Sequence, residues 1–122
     1  MRKVLVVEDS PAMRGLIASI VDDIEGCEVI EAANGFDALR RLPRDQFSLI
    51  ITDINMPDIN GLELLSFIRK GATTLTTPVL IVTSEGSEKD RDRGMALGAN
   101  AYMTKPFVPE ELATTVRKLL DA

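Results

Sequence analysis

LIITDINMPDINGLELL, residues 49–65, carries side by side the two signals on which the fold turns. Leu49–Ile51 is short, continuous and rich in β-branched residues, the pattern of a strand covered on both faces. After the polar turn around Asp53, Pro57 and Gly61, residues Leu62–Lys70 take up a helical spacing. Working outward, Val4–Val7 and Val79–Val82 repeat the first signal and predict two more central strands. Glu28–Glu31 and Ala101–Met103 are weaker strand candidates, suited to positions nearer a sheet edge.

Helical patterns fill the gaps. Met13, Leu16, Ile17, Ile20, Val21 and Ile24 recur at steps of three and four, with Ser10 as N-cap and Pro11 in the first turn. Leu112, Val116, Leu119 and Leu120 do the same near the C-terminus, behind Pro109, Glu110 and Glu111. Gly35–Leu42 and Glu88–Leu97 complete the set, the latter so polar that it is expected to be exposed and mobile. Five strand–helix alternations with right-handed crossovers predict an α/β fold: an open, doubly wound, five-stranded parallel sheet with five helices on its two faces.

The bulk numbers narrow the function. With 122 residues and 45% apolar content, one core and one domain spanning residues 1–122 are expected, with no linker leading to an output domain. A net charge of -5 argues against a dedicated nucleic-acid binder, whose affinity needs clustered Lys and Arg. The run Val4–Val7 stops at Glu8, too short for a signal core or a membrane span. The single cysteine, Cys27, reads as a small apolar filler and fits a reducing, cytoplasmic setting. The chain holds no histidine, which removes His-based triads, imidazole metal sites and any phosphohistidine of its own.

In an open α/β sheet, ligands bind outside the carboxyl ends of the strands. There the sequence places Glu8 and Asp9, then Asp53, then Thr83 and Ser84, then Thr104 and Lys105. Three converging carboxylates repel one another unless protonated or bridged by a cation, and an all-oxygen set suits Mg2+, with Mn2+ as the alternative. Lys105 and Thr83 add a compact positive charge and a hydroxyl donor for the oxygens of a phosphoryl group. Asp53 is the expected nucleophile. An ionised carboxylate attacks phosphorus without a general base, so the missing histidine is no obstacle.

This constellation resembles the response-regulator receiver family, the single-domain chemotaxis type in particular. The resemblance runs through VLVVEDS (4–10), LIITDINMPDINGLELL (49–65), PVLIVTS (78–84) and AYMTKPF (101–107). It implies a flavodoxin-like strand order 2-1-3-4-5 and phosphorylation on Asp53. Asp9, Asp53 and the backbone carbonyl of Asn55 would bind the metal, with Glu8 acting through water. Thr83 and Lys105 would contact the phosphoryl oxygens, across a cis Lys105–Pro106 peptide. Thr83 and Tyr102 would form the switch, reshaping the surface of the fourth helix, fifth strand and fifth helix. Asn55 and Glu85 would modulate phosphate lifetime, and Ser84, where many relatives have Ala or Gly, would narrow the approach to the site. The implied donor is a histidine kinase or phosphotransfer protein, and the implied output is a partner protein. The chain would be a monomer that can dimerise on phosphorylation, and an acceptor that assists its own phosphorylation and dephosphorylation rather than an enzyme.

Other readings compete. An aspartyl-phosphate phosphatase on a similar sheet usually needs a second Asp where this chain has Asn55. A flavin carrier lacks its phosphate cradle here. A degenerate receiver serving only as a binding surface sits poorly with intact Glu8, Asp9, Asp53 and Lys105. Taken singly, Glu8 and Asp9 could be helix-capping groups, Lys105 a solvated lysine, Tyr102 a half-buried sheet aromatic, and Glu88–Arg93 a solvated face.

Overall fold

The computed structural model describes all 122 residues, Met1–Ala122. Its elements alternate strictly: β1 (Arg2–Val7), α1 (Pro11–Asp22), β2 (Cys27–Ala32), α2 (Gly35–Arg41), β3 (Leu49–Thr52), α3 (Gly61–Lys70), β4 (Val79–Thr83), α4 (Glu88–Ala96), β5 (Ala101–Thr104) and α5 (Pro109–Asp121). The strands pair in parallel in the order β2-β1-β3-β4-β5. The three continuous apolar runs therefore occupy the centre, and the two weaker strands form the edges.

Because strand side chains alternate, each central strand feeds two cores. Val4, Val6, Leu49, Ile51, Leu80 and Val82 pack on one face against Ile17, Val21, Leu112 and Val116 of α1 and α5. Leu5, Val7, Ile50, Val79 and Ile81 pack on the other against Ala38, Leu64, Leu65 and Ile68 of α2 and α3. Cys27 is buried in the first of these layers, as a small apolar filler.

Local chemistry sets the helix starts. The Ser10 hydroxyl accepts from the Met13 N–H, and Asn34 and Ser87 cap α2 and α4 likewise. At α3, Asn60 and Glu63 form a reciprocal capping box. Gly61 is the first residue of that helix, and a Cβ there would fall 2.0 Å from the Asp53 carbonyl oxygen. Only glycine lets α3 begin so close to the end of β3.

One expectation needs correction. Leu16, assigned to the buried face of α1, is 43% exposed, because the inward stripe is centred on Ile17, Ala18 and Val21 and leaves Leu16 on its margin. Ile24 is buried as expected, although the helix has already ended at Asp22. α4 is exposed as expected, Met95 and Leu97 included, and turns only Gly94 inward. No helix is long and apolar enough to cross a membrane.

Candidate functional site

The backbone ladder continues one residue past the strands and so fixes the residues that follow them. The Glu8 N–H donates to the Ala32 carbonyl (3.1 Å), Asp53 to Val7 (3.2 Å) and Lys105 to Thr83 (2.8 Å). Four strand ends thereby deliver Glu8, Asp9, Asp53, Thr83 and Lys105 to one edge of the sheet.

Carboxylate oxygens of Glu8, Asp9 and Asp53 lie within 4.8 Å of one another. Glu8 and Asp53 are buried, while Asp9 faces solvent. Lys105 Nζ donates to Glu8 Oε1 at 2.6 Å and to Asp53 Oδ2 at 3.0 Å. The second Asp53 oxygen accepts from the backbone N–H groups of Ile54 (2.6 Å) and Asn55 (3.3 Å). Glu8 Oε2 accepts from the Ser10 N–H at 3.0 Å.

Two of the three carboxylates, those of Glu8 and Asp53, thus share one ammonium. Burial pushes the Glu8 carboxyl above its usual range, with the hydrogen bonds from Lys105 and Ser10 offsetting only part of the effect. For Lys105, burial alone would lower the value; the hydrogen bonds to Glu8 and Asp53 outweigh it, and the ammonium is held above its ordinary range. An oxygen-only donor set with surplus negative charge and one solvent-facing carboxylate fits a hard divalent cation.

The remaining predicted residues line the same edge. Thr83 is fully buried, and its Oγ1 accepts from the Glu85 N–H at 3.3 Å. Asn55 Nδ2 donates to Glu85 Oε1 at 2.9 Å, joining the β3–α3 loop to the β4–α4 loop across the site. Tyr102 is buried, and its hydroxyl donates to the Glu85 carbonyl. Burial raises its phenol above the ordinary value. Ser84 is exposed and the Lys105–Pro106 peptide is cis. A cavity of about 370 Å3 lies instead between the loops preceding β3 and β4, among Arg44, Asp45, Phe47 and Thr77, at the opposite end of the sheet.

Sequence reasoning missed two cationic side chains. Arg14 Nη1 donates to the Glu8 carbonyl at 2.9 Å, and its Nε lies 3.4 Å from Glu31, so it braces the acidic turn against β2. Arg91 of α4 reaches Tyr102 in β5. No motif announces either contact.

Fold and site together define a doubly wound domain with a metal-compatible acidic edge and a central, lysine-paired aspartate. Residues 4–117 match the response regulator receiver domain, and the chain belongs to that family, the receivers of two-component response regulators. Among solved structures it is similar to the chemotaxis protein CheY4 of Vibrio cholerae, with 37% identity, a TM-score of 0.91 and 98% of both chains covered. It is 33% identical over 115 residues to the protein PilG of Pseudomonas aeruginosa, covering 94% of this chain and 84% of that one. A probable transcriptional regulatory protein of Picosynechococcus sp. is 38% identical over 97% of this chain, which spans 49% of that relative.

Proposed function

We propose that this receiver takes a phosphoryl group on Asp53 from a histidine kinase or phosphotransfer protein and signals through the surface of α4, β5 and α5 to a partner protein. The observation that carries the proposal is the asymmetric setting of the Asp53 carboxylate. One oxygen is held by two backbone N–H groups, while the other lies 3.0 Å from the Lys105 ammonium. The first is fixed and the second is the nucleophile. As the Asp53 oxygen forms its bond to phosphorus, the bond from phosphorus to the donor nitrogen breaks, and the leaving imidazole keeps the electron pair. Lys105 then exchanges Asp53 Oδ2 for a phosphoryl oxygen, while Glu8 keeps its other hydrogen bond satisfied.

Glu8, Asp9 and Asp53, with the Asn55 carbonyl, would hold Mg2+, or Mn2+ in its place. When bound, such an ion neutralises carboxylate and phosphoryl charge. Thr83 rotates its hydroxyl from the Glu85 amide toward the phosphoryl group, drawing the β4–α4 loop with it; Tyr102 follows through its bond to the Glu85 carbonyl. Asn55 and Glu85, already bonded across the site, govern water access and so the lifetime of the phosphoryl group. Ser84 narrows the donor's approach. The unit proposed is a receiver covering residues 1–122, monomeric before phosphorylation, acting in the cytoplasm where such donors work. Where an output unit is attached, as the greater length of the Picosynechococcus relative allows, it would read the same face. The phosphatase reading loses ground because an amide at Asn55, engaged with Glu85, offers no acid–base group.

The test is intact mass after incubation with phosphoramidate or acetyl phosphate, with Mg2+ or with chelator. A gain of one phosphoryl group that needs Mg2+ and disappears in Asp53→Asn is expected. No gain under any condition would leave only a phosphorylation-independent binding module.

A further inference from the structure

Helix α4 rests on little of the sheet, chiefly Tyr102 and, beneath Gly94, Ile81. Of its residues Glu88–Ala96 only Gly94 is buried, and Met95 is 42% exposed, so no apolar stripe fastens the helix to the sheet. What it meets is Tyr102. The Arg91 guanidinium carbon lies 5.8 Å from the centre of the Tyr102 ring, and Arg91 Nη2 donates to the Tyr102 carbonyl at 3.1 Å. One turn on, the bare Gly94 backbone lies against the same ring; a Cβ there would come within 3.3 Å of Tyr102 Cδ2 and Cε2 and 2.9 Å of Ile81 Cδ1. The far end of the ring donates its hydroxyl to the carbonyl of Glu85, in the loop that leads into α4. The carbonyl and ring of one tyrosine therefore hold Arg91, the ring also meets Gly94, and the hydroxyl holds the loop at Glu85.

We infer that Arg91 is a positioning residue that clasps α4 to Tyr102, so that the orientation of that ring and the seating of α4 change together. The inference rests on the receiver reading for its purpose, and on the geometry alone for its existence. A planar guanidinium suits both halves of the contact: it lies over the ring, where the aromatic quadrupole attracts a cation, and keeps an N–H for the carbonyl. Lysine retains the charge but not the fork. Arg91 has no ion-pair partner on the chain, so the tyrosine is its chief tie to the body. If Tyr102 swings out, Arg91 loses the ring, Gly94 keeps only its contact with Ile81 and the Glu85 loop loses its donor. The helix then has only Ile81 beneath Gly94 to keep it in place. The surface offered to a partner is set by these three contacts together.

The chain supplies its own probe, because Tyr102 is its one tyrosine and there is no tryptophan. Acrylamide quenching of tyrosine emission, measured on the whole chain, reads the exposure of that ring directly. Hydrogen exchange of α4 amides reads the seating of the helix. In Arg91→Ala both should rise, exchange by about two- to fivefold, the ratio expected for losing an exposed cation–π contact, with α3 and α5 unchanged. Arg91→Lys should recover part of the difference, and Arg91→Gln less. Quenching and α4 exchange at wild-type values in Arg91→Ala would overturn the clasp; so would an equal rise in all helices, which marks general loosening. Phosphoryl gain from phosphoramidate, followed by mass on the same samples, separates the two readings. A clasp that fails in a chain that still takes the phosphoryl group refutes this inference alone. A chain that takes none while the quenching contrast persists refutes the acceptor role and keeps the clasp.

Discussion

Helices α3 and α4 follow neighbouring central strands, each after a loop that carries site residues, yet they are fastened in opposite ways. α3 buries Leu62, Leu64, Leu65 and Ile68 and starts with a capping box against the end of β3. α4 buries Gly94 and leans on Tyr102. The half of the site that must hold still, Asp53 with its two backbone donors, is attached to the first helix. The half proposed to move, Thr83 and Glu85, leads into the second. On the proposed reading, the deep helix fixes the acceptor and the shallow one beside it frees the reporter.

That contrast can be broken most sharply at the strand ends. Asp53→Asn should abolish phosphoryl gain completely, whereas Thr83→Ala should still gain the group while Tyr102 emission no longer responds to it; equal loss in both, read by mass and by fluorescence, would erase the division of labour. Next in size is packing. Ile68→Ala in α3 should cost about 2–5 kcal/mol in urea unfolding, the range for emptying a buried aliphatic site. Met95→Ala in α4 should stay within about 0.5 kcal/mol of wild type, as exposed positions do. Similar costs in the two helices would mean that α4 is anchored after all.

A ligand sharpens the same point. At about a hundredfold excess over its dissociation constant, Mg2+ should raise the unfolding free energy by about 2.7 kcal/mol, and Asp9→Asn should reduce the gain, as checked by urea midpoints with and without chelator. The smallest effect is a slope with pH. Glu8 has a folded value above its unfolded one, so the folded state keeps a proton that the unfolded chain has released. Without divalent cation, stability should therefore fall as pH rises from the ordinary carboxylate range through the raised Glu8 value. Glu8→Gln should flatten that segment. Lys105 is raised as well, so its own contribution is complete below its ordinary value of 10.5 and is lost only as pH climbs through its raised folded value. A slope of opposite sign in the acid range would show that pairing with Lys105, and not burial, governs Glu8.

The places where the sequence was legible share one property: the signal was local. Apolar runs at Val4–Val7, Leu49–Ile51 and Val79–Val82 marked the central strands because burial on both faces removes alternation. The residues directly after them were legible as a site because chain direction alone places them at one edge. Leu16 misled because helical spacing gives the width of an apolar stripe but not where its centre meets the sheet. The exposure of Glu88–Leu97 was legible because a segment so poor in apolar residues offers no stripe to bury.

By itself the sequence determined the alternating α/β architecture, the acidic strand ends and the place of Asp53 among them, since strand burial and chain direction leave little choice. Tertiary structure alone decided how Lys105 divides itself between Glu8 and Asp53, how Arg14 braces the acidic turn and how Arg91 and Gly94 meet Tyr102. These contacts join residues 6 to 97 positions apart, and it is the packing of strands and helices, not the order of residues, that brings charge to charge and ring to cation.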